Sequence, residues 1–390
     1  MKVVKYLMYY LVTAGYSALI GVVAWSFLFI VNTVTHFLWI GHEGEGAFMY
    51  DHKLLIIPFI WGVSMILAYV YSNYEVIPKP GIVYAKEFKQ TRRVKYADFF
   101  KVYILAMIPL FLGSSVGPEA ALVGLLFMLS SFIGDVTSKY EHKFGIDIAP
   151  NEHDNFLDEV KNNKLYLLKI VIIYVTVGFV LLQLLGYDKY PSFNVALEPI
   201  KINHYFELIE IIPLIAVGYG LGKFYQITEP LIEHQFEKIS NQYIKMSITA
   251  GFLSLFAILF PVLIMSGEAT LHILVEHSIM SSGLLLIGLS LLKVVITHIC
   301  ISGDLRGGHI FPIIYSAFLM VYGFSVIFDL DPTLAIAAVT AATALTIFSN
   351  TLAMFMLLAL FFPVKLLTLI FIVILIFSER RAADNDQKEI

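Results

Sequence analysis

The chain has 390 residues, 58% of them hydrophobic and only 14% charged, with a mean hydropathy of +0.80. Too little polar surface remains to cover a soluble globule of this size, so an integral membrane protein is expected. A net charge of -4 gives no basic excess for nucleic acid, and the one cysteine, Cys300, excludes an intrachain disulfide framework or a thiolate metal site.

In chain order, the first apolar run, about 7–40, far exceeds the core of a signal peptide and lacks a convincing small-residue cleavage site. It reads as a retained membrane helix. A bilayer core takes about 20 apolar residues of helix, and backbone in lipid must satisfy its own hydrogen bonds. Further helical runs are therefore expected at 54–73, 97–113, 117–136, 165–187, 206–226, 245–266, 282–301, 309–328 and 333–378, the last as two helices parted near 348–351. The dense basic stretches are "MKVVK" at the start, "KEFKQTRRVK" at 86–95 and "SERR" at 378–381, and basic loops stay cytoplasmic. Both termini are thus expected inside the cell membrane, with the mixed-charge loop 138–164 inside and 187–204 outside. The polar tail 381–390 is too short for a domain, which leaves one membrane domain over 1–380.

Two places break the apolar pattern. In "LFLGSSVGPEAALVGLL" the residues Gly113, Ser114, Ser115, Gly117 and Pro118 interrupt any helix. About half a chain later, Gly303, Gly307, Gly308 and Pro312 do the same in "CISGDLRGGHIFPIIYSAF". Irregular backbone at membrane depth must be buried or line a cavity. Paired Gly/Pro breaks at corresponding places point to two inverted halves, roughly 1–205 and 206–380, with a site near the midplane. Each break also exposes a helix N-terminus, whose N–H groups attract anions. The plainer reading of either break alone is a kink that packs two helices.

The second of these halves and the first both resemble the CLC family of chloride channels and chloride/proton antiporters, whose anion motifs take the forms GSGIP, GREGP and GxFxP. "SSVGPEAALVGLL" resembles GREGP and its helix, "RGGHIFPIIYSAF" resembles the GxFxP region, and Ile77-Pro78 in "NYEVIPKPGIVYAKE" resembles the core of GSGIP. The likeness runs from about residue 15 to 378. It implies an all-α inverted-repeat membrane bundle with broken and re-entrant helices, forming a homodimer among membrane lipid and moving chloride or a similar small anion without a cofactor. The anion would be held by backbone amides and pore lining at Glu75, Val76, Ser115, Val116, Gly117, Gly308, His309 and Ile310.

The departures bear on mechanism. The family's gating glutamate falls on Val116, which carries no proton, and that implies passive, channel-like conduction. Glu119 lies one turn into the helix, where the dipole favours a carboxylate; it reads as a first-turn cap or as a relocated gate. The family's anion-binding serine falls on Glu75. An ionised carboxylate facing an anion is costly at membrane depth, so three readings stay open: Ser72 or Asn73 takes the serine's place, Glu75 faces cytoplasmic water, or Glu75 is protonatable. In the third motif Ile310 replaces phenylalanine, and a backbone donor survives that change. His309 reads as donor to a neighbouring carbonyl or as a group that titrates. Arg306 and Asp304 suggest a local ion pair. The family's inner glutamate falls near Asp158 and Glu159, where solvated loop carboxylates are also expected, and its late tyrosine has no counterpart in the chain.

Two alternatives accompany this reading: a proton-coupled chloride or fluoride antiporter with Glu75 or Glu119 as gate, and a non-conducting membrane receptor or scaffold. The His/Asp/Glu-bearing stretches "EGEGAFMYDHK" and "PNEHDNF" lack the i, i+3 or i, i+4 spacing of a metal face. No hydrolase or phosphate-loop motif occurs, so no enzyme is expected.

Overall fold

The computed structural model describes residues 2–41, 46–74, 78–146, 148, 158, 160, 162–185, 207–267, 282–330, 332–348, 350–362, 366–375 and 377. Glu75, Val76 and Glu159 lie outside them, as does the segment 187–204. The described residues form an all-α membrane protein. Its longer helices are α1 (Lys2–Thr35), α2 (Ile56–Asn73), α3 (Gly81–Thr91), α4 (Phe99–Phe111), α5 (Glu119–Phe144), α6 (Lys164–Leu185), α7 (Glu207–Glu237), α8 (Gln242–Leu259), α9 (Gly283–Ser302), α10 (Ile310–Phe328), α11 (Pro332–Ile347) and α12 (Thr351–Phe361). A further helix, α13, spans Leu366–Leu375. Seven of the described helical segments are long and apolar enough to cross a membrane, while Phe99–Phe111, Pro332–Ile347 and Leu366–Leu375 are apolar but shorter. Short apolar helices suit a re-entrant architecture, since a full crossing needs about 20 residues.

Four expectations need correction. The basic stretch 86–95 is not simply a loop: α3 covers Gly81–Thr91, starting after Pro80 and ending where Arg92 turns left-handed with φ 58°. A proline at the start fixes a helical entry, and a left-handed residue ends the turn. The helix expected at 117–136 continues to Phe144, closed by Gly145 at φ 65°. Its last turns bury Thr137 and Glu141, so the start of the expected loop 138–164 is packed helix. The run 206–226 extends to Glu237 as α7. The run 333–378 parts after Ile347 as expected, but it yields three helices rather than two, with Pro363 in the sequence between α12 and α13.

The chain divides into two compact units, one made of 1–35, 74–108 and 118–190, the other of 36–73, 109–117 and 191–390. In the first unit α1 packs on α5 and α6. Tyr9, wholly buried, donates its hydroxyl to Glu141, and Lys169 Nζ lies 3.1 Å from the same carboxylate oxygen. Glu141 and Lys169 are themselves 4% and 8% exposed. A buried carboxylate is tolerated only when paired, and here one oxygen serves a hydroxyl and an ammonium from two helices.

In the second unit α7 packs on α11. A Cβ at Gly218 would stand 2.6 Å from the Val339 carbonyl oxygen, and one at Gly222 would stand 2.5 Å from Thr346 Cβ. Two glycines four residues apart thus let the backbones meet, as small residues do between membrane helices. Thr343 Oγ1 uses that closeness to donate to the Gly218 carbonyl at 3.0 Å. Between α9 and α10, Ser290 and Ser316 each donate a hydroxyl to the other's carbonyl, at 2.7 and 2.8 Å. Polar bonds between apolar helices add specificity where lipid offers no competing partner.

Candidate functional site: two crossed helix breaks

Both breaks fold locally as their residues dictate. Helix α4 stops at Phe111, and Gly113 takes φ 72°, a left-handed turn that a residue with a Cβ would adopt only under strain. The Trp39 ring fills the space beside it, 3.1 Å from where a Cβ would sit, and Trp39 Nε1 donates to the Phe111 carbonyl at 2.9 Å. Ser114 folds back with its hydroxyl on the Pro109 carbonyl at 2.6 Å. Leu112 through Pro118 are all buried, although this stretch is not helical. In the second break, Asp304 takes the left-handed turn at φ 65° and Leu305 N donates to the Cys300 carbonyl at 2.9 Å.

The two breaks meet. Gly117 N donates to the Gly308 carbonyl and Gly308 N to the Gly117 carbonyl, both at 2.7 Å, an isolated antiparallel bridge among the described residues. Beside it Val116, 1% exposed, packs its side chain against Gly307: a Cβ on Gly307 would stand 2.6 Å from Val116 Cβ. Only glycine permits that approach. Ser115, fully buried, shares a 2.8 Å hydrogen bond with Thr297 of α9, and Thr297 in turn donates to the Lys293 carbonyl at 2.8 Å.

The crossing therefore brings together Ser115, Val116, Gly117, Gly308 and, at the start of α10, His309 and Ile310. The amides do not stand as the resemblance implies. Val116 N donates to Ser114 O at 2.8 Å, and those of Gly117 and Gly308 are spent on each other's residues. Buried N–H groups rarely stay unpaired, and here a reciprocal bridge pairs them. His309 precedes α10 and stacks its ring on Phe348, with centroids 5.3 Å apart. Glu119 is the first residue of α5, half-buried, in the acidic first-turn position that the helix dipole favours.

Charge lies around the crossing. Lys293, wholly buried in α9, donates to the carbonyls of Leu263 at 2.9 Å and Met265 at 2.5 Å, with the Tyr315 ring centroid 5.3 Å away. Met265 N then donates to the Gly113 carbonyl at 2.7 Å. One ammonium thus fixes the turn that follows α8, and that turn fixes the first break. An ionisable residue inside an apolar helix is a functional marker, and that signal in "LLKVVITHICIS" went unread in the sequence, as did Thr297 one turn later. Asp304 accepts from Gln242 and Lys245, both at 3.1 Å, and lies 3.4 Å from Arg306, which bears out the expected local pair and enlarges it. Arg306 also lies over the Tyr71 ring, 5.7 Å from its centroid.

Other candidates fall elsewhere. Ser72 and Asn73 are exposed at the end of α2, with Asn73 donating to the Tyr69 carbonyl at 2.8 Å. Pro78, of the Ile-Pro core, is buried. Asp158 is helical and exposed.

No family model matches the chain. No curated protein matches it either. Its structure is similar to the crystal structure of a CLC-type fluoride/proton antiporter, with TM-score 0.69 and 16% identity over 95% of this chain and 94% of that one. At that identity the likeness is one of fold: the chain has a CLC-type fold over nearly its whole length.

Proposed function

We propose that this CLC-type fold serves anion transport in a member of the CLC family, and that the chain passes chloride or a similar small anion, fluoride included, passively across the cell membrane. The observation that carries the reading is Val116. It sits buried against Gly307 at the bridge between the two breaks, where the family's resemblance calls for a glutamate, and a valine neither binds a proton nor moves a charge. The two inverted halves, 1–205 and 206–380, would each contribute one break to the pathway. The protein would act as a homodimer with both termini cytoplasmic, and without enzymatic chemistry. Because the Gly117 and Gly308 amides are engaged with one another, an anion that uses them must displace the bridge or pass beside it, held by oriented dipoles weakly enough to be released.

A second reading is a proton-coupled antiporter. It is favoured by the similar structure being that of a fluoride/proton antiporter and by Glu119, the carboxylate three residues beyond Val116. Liposomes loaded with chloride or fluoride separate the two. Passive conduction predicts efflux that requires an ionophore to dissipate voltage and moves no protons. Proton uptake at a fixed ratio to anion efflux, abolished by Glu119→Gln or Glu75→Gln, would instead establish the antiporter. No flux of either ion under any gradient would leave only a receptor or scaffold.

A further inference from the structure

We propose that Tyr225 of α7 and His298 of α9, converging on the N-terminus of α10 behind His309, form a binding site for a halide-sized anion. The inference rests on the transport reading above and locates where along the pathway the ion is held.

Tyr225 is 1% exposed and His298 2% exposed. Their ring centroids lie 4.2 Å apart, and the Tyr225 centroid is 5.9 Å from that of His309. Three elements of the same unit therefore place polar rings together: α7, α9 and the residue that precedes α10. Yet the Tyr225 hydroxyl and the His298 Nε2 have no hydrogen-bond partner among the described residues. A buried polar atom left unpaired is destabilising, and folded proteins rarely keep two side by side without a use for them. Neighbouring polar groups in this unit are satisfied in pairs, as Ser115 with Thr297 and Ser290 with Ser316 show.

The chemistry of the surroundings favours an anion over other small ligands. A tyrosine hydroxyl carries one hydrogen to donate, and His298 presents a second at Nε2 whenever its ring is protonated there. The N-terminal end of the 19-residue helix α10 adds partial positive charge. Phe348, stacked on His309, closes one side with an apolar ring, so the ligand is small and takes its hydrogen bonds from few directions. Glu229, one turn beyond Tyr225 on α7, is exposed, where solvent screens it. Among the described residues no group of three or more His, Cys, Asp or Glu gathers to hold a metal.

The test is thermal unfolding of the purified full chain, with potassium chloride and then potassium fluoride titrated against potassium gluconate at constant ionic strength. The wild type is expected to show a saturable rise in Tm with at least one of the two halides. Tyr225→Phe keeps the ring and removes the donor. It is expected to leave the halide-free Tm unchanged or higher, since an unpaired hydroxyl is gone, and to weaken the apparent halide affinity at least tenfold. Unaltered halide affinity in Tyr225→Phe overturns the site, and so does a wild type with no saturable response. Parallel flux in liposomes keeps the two ideas apart. A wild type that transports while Tyr225→Phe binds unchanged overturns the site alone, whereas one that binds saturably, with the tenfold loss in Tyr225→Phe, but moves no anion supports the site and overturns transport.

Discussion

Val116 and Gly307 occupy one volume. With the Cβ positions as close as the backbones set them, an extra methyl at 307 has nowhere to go except into the valine. Gly307→Ala is expected to cost about 1–3 kcal/mol, the usual penalty for an overfilled site. Val116→Ala in the same chain should restore most of that, so the pair should show a coupling energy of about 1 kcal/mol or more in a double-mutant cycle followed by thermal unfolding. Strict additivity would mean that the two side chains do not share the space. Residue-level reading of the sequence found both breaks from their glycines and prolines, because those residues act locally on the backbone. It also found Val116 by position. It did not find that the amides of Val116, Gly117 and Gly308 are occupied, since that depends on two segments far apart in the chain coming together. Lys293 and Tyr225 escaped for a related reason: each lies within an apolar helical run, and only the folded neighbours reveal what its polar end meets.

At the scale of elements, the long apolar runs announced their helices well, since membrane backbone has few alternatives to helix. The misreadings share a cause. Charged residues in "KEFKQT", "SKYEHKF" and "EPLIEHQFE" marked these stretches as loops, yet each belongs to a helix. In α5 the charge is not solvated at all, because Glu141 finds Tyr9 on α1 and Lys169 on α6. Removing one member of such a buried pair leaves the other uncompensated, which typically costs about 3–5 kcal/mol. Lys169→Met alone is therefore expected to lower Tm sharply, while Glu141→Leu with Lys169→Met should recover much of the loss. Equal destabilisation by the single and the double variant would show that the pair itself contributes stability beyond its mutual neutralisation.

For the whole molecule, the distribution of basic residues sets the proposed topology, and the buried Cys300 makes it testable. As the one cysteine in the chain and wholly buried, it leaves a quiet background for labelling. A cysteine introduced at Lys388 is expected to react with an impermeant maleimide only after the membrane is opened, and reaction in sealed cells would place that end outside. The crossing of the two breaks also carries a consequence for how the protein is made. Ser115 and its partner Thr297 are separated by 182 residues. At roughly 5–20 residues per second, the ribosome delivers the second break on the order of 10–40 s after the first. Through that interval the amide of Gly117 has no Gly308 carbonyl to reach, and an unpaired group in hydrocarbon costs several kcal/mol. The first break must therefore wait at a wet place, at the bilayer surface or in the insertion machinery, and settle to membrane depth only when its distant half arrives. The site that gives the protein its function is in this sense the last part of it to fold.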